Sequence, residues 1–283
     1  MTQFSKSSAE IYVPDGVKAE EALARTTDLA VAAHQDDIEI MATAAVLECF
    51  GRSAKWFLAA IVTDGAGSPR DGLYERYTDT EMRAVRRVEQ KKAAFVGEYA
   101  GVAFLDHPSS AIKNPADQGP KQDLKALIAA ARPEVVYTHN LADKHDTHVA
   151  VALRTIAAIR ELPAEARPKR LYGCEVWRDL DWMADSDKVV FAMNEHENLA
   201  AALLGVFDSQ IAGGKRYDLA TLGRRRAHAT YHQSHAVDTA QMLNFGMDLT
   251  PLIEDPSLDV NQYAQERIRR FADEVSARLG KLS

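Results

Sequence analysis

Short apolar runs rich in β-branched and aromatic residues alternate with segments whose apolar positions recur at helical spacing. The runs are Asp28–Ala33, Trp56–Thr63, Gly101–Leu105, Glu134–Thr138, Arg170–Trp177 and Lys188–Met193. The helical segments between them are Ile38–Phe50, Asp79–Tyr99, Gln122–Ala131 and Thr147–Arg160. This alternation predicts βαβ units: an α/β fold with a Rossmann-like, mostly parallel sheet flanked by helices. The last third changes character. Glu195–Gln210, Leu219–Tyr231 and the charged, amphipathic Val260–Leu279 read as helices, broken by loops at Gly213-Gly214 and Pro251–Pro256. The expected organisation is an N-terminal extension (1–27), an α/β domain (28–215) and a mainly helical C-terminal extension (216–283) packed on that domain.

Two connections, Gly65–Gly72 and Pro108–Pro120, are long for loops of an α/β sheet. Loops of that length at the carboxyl edge of a sheet commonly carry function.

Composition narrows the class. With 283 residues, 46% hydrophobic and 27% charged, the chain can bury a sizeable core. Its net charge of −7 argues against nucleic acid as a partner. Two cysteines in unrelated contexts, Cys49 and Cys174, fit a reduced cytoplasm and exclude a thiolate zinc site. Met1–Gly16 is polar and does not read as a signal peptide, and no run has the apolar length of a membrane span. A homo-oligomer is left open.

Two strand ends carry the chemistry. Asp28–Ala33 empties into His34-Gln35-Asp36-Asp37, and Val135–Thr138 empties into a loop holding His139, Asn140, Asp143, His145, Asp146 and His148. In an open α/β sheet, ligands bind outside the carboxyl ends of the strands. Each cluster alone has a plain reading. Asp36 and Asp37 could sit at a helix N-terminus, and His145 and His148 could be solvated loop residues. Together, if their strands are neighbours, they offer two imidazoles and a carboxylate with an open position, the pattern of catalytic zinc. His107 follows the third strand and faces the same edge, as pocket wall or ordinary loop residue. His228 and His232, at i,i+4 near His235, lie beside Arg224–Arg226, which points to a solvated face rather than a second metal site. Arg86 either pairs with Glu89 along its helix or projects toward a substrate.

Ala33-His34-Gln35-Asp36-Asp37-Ile38-Glu39-Ile40 resembles the Ala-His-Pro-Asp-Asp-x-Glu-Ile signature of the PIG-L/LmbE-like zinc-dependent N-acetylglucosamine deacetylases. The resemblance continues through Thr63-Asp64-Gly65, Arg86-Arg-Val-Glu89, Arg132-Pro-Glu-Val-Val136 and His145-Asp-Thr-His148, and covers roughly Asp28 to Arg160. A weaker echo is Asp208-Ser-Gln210. Gln35 stands where the family has proline, Met41–Ala44 where a glycine pair is common, and Asp146-Thr147 where Pro-Asp is usual.

The resemblance implies one zinc per chain, held by His34, Asp37 and His148, with other divalent metals able to substitute. It implies Asp36 as the general base toward the attacking water, and His145 as oxyanion stabiliser or proton donor to the leaving amine. Arg86, Asp64, Arg70, His107 and Asn140 are the candidate substrate contacts. The implied partner is a small N-acylated molecule, an amino sugar or its conjugate. Two other functions compete: hydrolysis of a non-sugar amide, and a non-catalytic Rossmann-like binding module. The module would need a glycine-rich phosphate turn after the first strand, and His-Gln-Asp-Asp repels phosphate.

Overall fold

The computed structural model describes residues 2–283. Eight strands form one sheet in the order β1-β4-β3-β2-β5-β6-β8-β7. They are β1 (Glu10–Tyr12), β2 (Asp28–Ala32), β3 (Phe57–Thr63), β4 (Gly101–His107), β5 (Val135–His139), β6 (Arg170–Cys174), β7 (Lys188–Met193) and β8 (Met242–Asp248). The five strands β4-β3-β2-β5-β6 are parallel; β1 pairs antiparallel with β4, and β8 runs antiparallel between β6 and β7.

β2 and β3 are apolar at nearly every position because both faces of the sheet are covered. Side chains alternate: Leu29 and Val31 join one core, Ala30 and Ala32 the other. On the Leu29 side pack α1 (Ala19–Ala24), α6 (Gly119–Ala131) and α7 (Asp146–Arg160). On the Ala30 side pack α2 (Asp37–Met41), α3 (Thr43–Cys49), α4 (Asp79–Val96) and α8 (Glu197–Gly205). The short α5 (Ser109–Lys113) and α9 (Asp208–Ile211) border the carboxyl edge, followed by α10 (Tyr217–Tyr231), α11 (Thr250–Glu254) and α12 (Val260–Leu282).

The chain winds outward from β2 through β3 and β4, then restarts at β5 and winds the other way to β6. The reversal lies between β2 and β5, whose registers pair Ala30 with Tyr137. Such a switch point leaves a crevice at the carboxyl edge, and the loops after β2 and β5 flank it.

Three elements depart from the sequence pattern. Residues 216–283 are mainly helical, but they also supply β8, which inserts into the central sheet between β6 and β7. Likewise β1, within the first 27 residues, extends the sheet at β4. The helix expected over Ile38–Phe50 breaks at Ala42 into α2 and α3. The carbonyls released there are taken up from far along the chain: Arg225 donates to Glu39 and Ile40, and Asn244 to Ile40. Tertiary donors compensate the lost helical bonds, which no local pattern signals. Among the described residues, no helix is long and apolar enough to cross a membrane.

Candidate metal centre

β2 delivers His34 to the switch point, and the chain then turns sharply. Asp36 adopts φ 87°, ψ −31°, a conformation costly for a residue with a Cβ. Asp37 starts α2 immediately after, so the two carboxylates point in different directions. The turn is held from outside: Arg86 of α4 hydrogen-bonds the Gln35 carbonyl and lies 3.4 Å from the Asp36 carboxylate, while Asp36 N donates to Gln90 at 3.3 Å.

β5 brings the second cluster alongside. Ala33 N donates to His139 Nε2 at 2.8 Å, tying the two strand ends together. His148, in the first turn of α7, reaches across to them. The result is a triangle: His34 Nδ1 to His148 Nε2 is 3.2 Å, His34 Nδ1 to Asp37 Oδ2 is 3.2 Å, and His148 Nε2 to Asp37 Oδ2 is 3.3 Å. Ligand bonds of roughly 2.0–2.2 Å in a tetrahedron require ligand–ligand edges of about 3.3–3.6 Å. The three atoms therefore form a near-ready face for one small divalent cation, with the fourth position free. Among the described residues no other group of three His, Cys, Asp or Glu side chains offers such a site.

The electrostatics are those of a site arranged around positive charge. Burial raises the Asp37 carboxyl, but His148, His34 and His139 outweigh it and hold it far below the usual carboxylate range. Burial pushes His34 down, toward the neutral ring a metal needs. His148 is held up despite burial by Asp37 and by Asp143, whose Oδ1 is 3.6 Å from His148 Nδ1. A carboxylate behind a ligand histidine fixes its ring orientation. Asp143 is itself fixed, accepting from His145 N at 2.9 Å and from Trp177 N at 3.1 Å. Beneath the triangle, His139 stacks on His148 with ring centroids 3.9 Å apart.

Asp36 and His145 line the cavity with His34 and Asp37. Burial pushes Asp36 well above the usual carboxylate range; Arg86 opposes the shift, and Asp37, Glu39 and Glu89 add to it. His145 Nδ1 accepts a hydrogen bond from Thr147 N at 3.3 Å. Burial and the neighbouring His148 and His34 push its pKa down, which favours the neutral ring, and in that form Nδ1 as acceptor leaves the hydrogen on Nε2.

The structure thus brings together His34, Asp36, Asp37, His145, His148 and Arg86. It does not bring the remaining candidates to the cavity wall. Asn140 is buried, with Nδ2 donating to Cys174 O at 2.9 Å. His107 is buried, 2.8 Å from Asp123, because Ser5 and α6 fold over the edge of β4. Asp64 pairs with Arg83 at 3.1 Å and accepts from Ala66 N, and Arg70 donates to Ala66 O. Both shape the 65–70 loop, whose Gly65 and Ser68 do line the cavity. Of the later histidines, His228 bonds Glu175 at 3.1 Å and stacks on Phe245, a core arrangement. Arg86 does not pair with Glu89 along α4, since Glu89 accepts from Ser209 N and Oγ instead.

Lys113 comes from the long 108–120 connection, whereas sequence reasoning singled out none of three further cavity residues, Trp177, Lys215 and Tyr217. They come from loops and helix starts remote in sequence, and no spacing marks them. For Asp143 the only signal was an acid in the polar loop after β5.

The site is an open α/β sheet with a His-Asp-His triangle at its switch point that could hold a metal ion. Residues 29–159 match the family model described as PIG-L, GlcNAc-PI de-N-acetylase. The fold is similar to that of N,N'-diacetylchitobiose deacetylase from Pyrococcus horikoshii, at 14% identity and TM-score 0.63, covering 84% of this chain and 88% of that one. It is similar to the conserved protein TT1542 from Thermus thermophilus at 18% identity and TM-score 0.62, covering 83% and 100%. It is also similar to GalB, the 4-carboxy-2-hydroxymuconate hydratase from Pseudomonas putida, at 15% identity and TM-score 0.59, covering 79% and 96%. No curated protein matches the chain in sequence. A deacetylase and a hydratase share this scaffold, so the site has to carry the functional argument.

Proposed function

We propose that the protein is a zinc-dependent N-deacylase that hydrolyses the amide of an amino sugar or its conjugate and releases a small acyl group. One observation carries the proposal: three ligand atoms spaced as one face of a tetrahedron, beside a cavity lined by a further carboxylate, Asp36, and a further imidazole, His145. A zinc ion bound by His34, Asp37 and His148 would polarise the amide carbonyl and acidify water.

The chain's own residues divide the remaining work. Asp36, buried and beside the metal ligand Asp37, is placed to accept a proton from the attacking water. Arg86 keeps that carboxylate turned toward the cavity. The Nε2–H of His145 is a donor suited to the oxygen that gains negative charge as the carbonyl is attacked. A neutral imidazole is a poor source of a full proton. Asp36, carrying the proton taken from water, is therefore the group that returns it to the nitrogen as the C–N bond breaks.

The test is amine release by zinc-loaded protein from a panel of N-acetylated amino sugars, with non-sugar acyl amides beside them. Release from the sugars supports the proposal. Release from the other amides alone would replace the sugar with a different amide. No release, with water added instead across a carbon–carbon double bond of an unsaturated acid, would overturn deacylation in favour of hydration.

A further inference from the structure

Beside the cavity of about 420 Å3 lies a second lobe of about 310 Å3, which shares Asp36, Asp37, Trp177, Lys215 and Tyr217 with it. Trp177 and Tyr217 wall this lobe, their rings edge to face at 5.8 Å. Five cationic side chains line the two lobes (Arg86, Lys113, Lys215, Arg216 and Arg224) against two carboxylates, Asp36 and Asp37. That excess stands out in a chain of net charge −7.

Two of the five are committed. Arg86 faces Asp36, and Arg216 holds Asp218 through two bonds of 2.9 and 2.8 Å. The other three have no carboxylate within ion-pair distance among the described residues. Lys113 stands alone in the first lobe. Lys215, shared by both lobes, hangs over the Trp177 ring at 5.3 Å, and Arg224 in the second lobe bonds only the carbonyl of Val176. Cations left unpaired on a concave, partly apolar surface concentrate anions there.

Building on the deacylase assignment, we propose that the substrate carries an anionic group, a carboxylate or a phosphate. That group docks in the Trp177 lobe, between Lys215 and Arg224. The acyl amide lies toward His34 and His145, and the carbon skeleton joining the two ends packs on Trp177 and Tyr217.

The probes are the glucoside of glycolic acid, the same glucoside as its methyl ester, and glucose 1-phosphate, titrated calorimetrically into zinc-loaded protein. The acid, the phosphate or both should bind at least about tenfold tighter than the ester, and the margin should shrink at about 0.5 M salt. Which anion binds tighter separates the carboxylate source from the phosphate source. Lys215→Glu and Lys215→Met should erase the margin, while Lys113→Glu should keep most of it; circular dichroism checks that each variant folds. Equal binding of acid, phosphate and ester overturns the proposal. So does loss of the margin in Lys113→Glu but not in Lys215→Met, which would put the anion in the other lobe. None of the probes has an amide, so the result is independent of turnover. An anion preference without any amine release in the substrate panel would sink the deacylase assignment and leave the anion site standing.

Discussion

Arg86 stands 3.4 Å from the carboxylate of Asp36, and the same guanidinium nitrogen hydrogen-bonds the carbonyl of Gln35. One side chain from α4 thereby holds both the backbone and the acid of a turn in which Asp36 has φ 87°. Both partners are buried. Removing one member of a buried pair leaves the other uncompensated, at a cost of about 3–5 kcal/mol. Arg86→Ala is therefore expected to lower stability by that order, and to cut kcat/KM on a cleaved amide by about ten- to a hundredfold or more. Denaturant unfolding and steady-state kinetics check it. A variant as stable and active as the parent would refute the role, whereas a surface pair predicts a loss under about 1 kcal/mol.

Metal content should separate ligands from acid–base groups. His34→Ala, Asp37→Ala and His148→Ala are each expected to lose most of the bound metal. Asp36→Asn and His145→Ala should keep about one equivalent per chain while losing most turnover. Elemental analysis after gel filtration in zinc-buffered solution is the measurement. Metal lost from Asp36→Asn but retained in Asp37→Ala would mean that the two acids have exchanged roles.

Asp143 lies behind His148, 3.6 Å from its Nδ1. Outer-shell carboxylates of this kind typically contribute 10–100-fold in metal affinity. Asp143→Asn should weaken zinc binding by roughly that factor, read by competition with a chromogenic chelator. An unchanged affinity would restrict Asp143 to holding the loop through His145 and Trp177.

Asp123 gives a pH test away from the metal. Burial raises its carboxyl, but hydrogen bonds from His107 and Ser5 outweigh burial and hold it below the usual range. A carboxyl depressed in the folded state contributes stability that is present above its unfolded pKa and lost as pH falls through the folded pKa. Asp123→Asn should lose about 1–3 kcal/mol near pH 7. The gap between variant and parent should close as the medium is taken to about pH 3 or below. Thermal unfolding across that range reads both effects, and a gap that stays constant with pH would rule the mechanism out.

The residues by themselves determined the alternating βαβ architecture. Continuous apolar runs such as Phe57–Thr63 can be buried only inside a sheet covered on both faces. They also marked the two strand ends that hold His34 and His148, because a polar, ligand-rich segment directly after such a run is a local feature. The tertiary structure decided how the clusters meet. The topology places β2 beside β5, and only then do atoms 114 residues apart come within 3.2 Å. It also withdrew His107 and Asn140 from the site, since whether a polar side chain faces a cavity or a buried partner depends on what folds over it: Ser5 and Asp123 for one, Cys174 for the other. β8 escaped the sequence pattern because Met242–Asp248 mixes polar and apolar residues and finds its place only between β6 and β7. The cationic lobe was invisible for the same reason. Lys215, Trp177 and Arg224 form no motif, and their shared charge and shape exist only once α10 packs against the crevice.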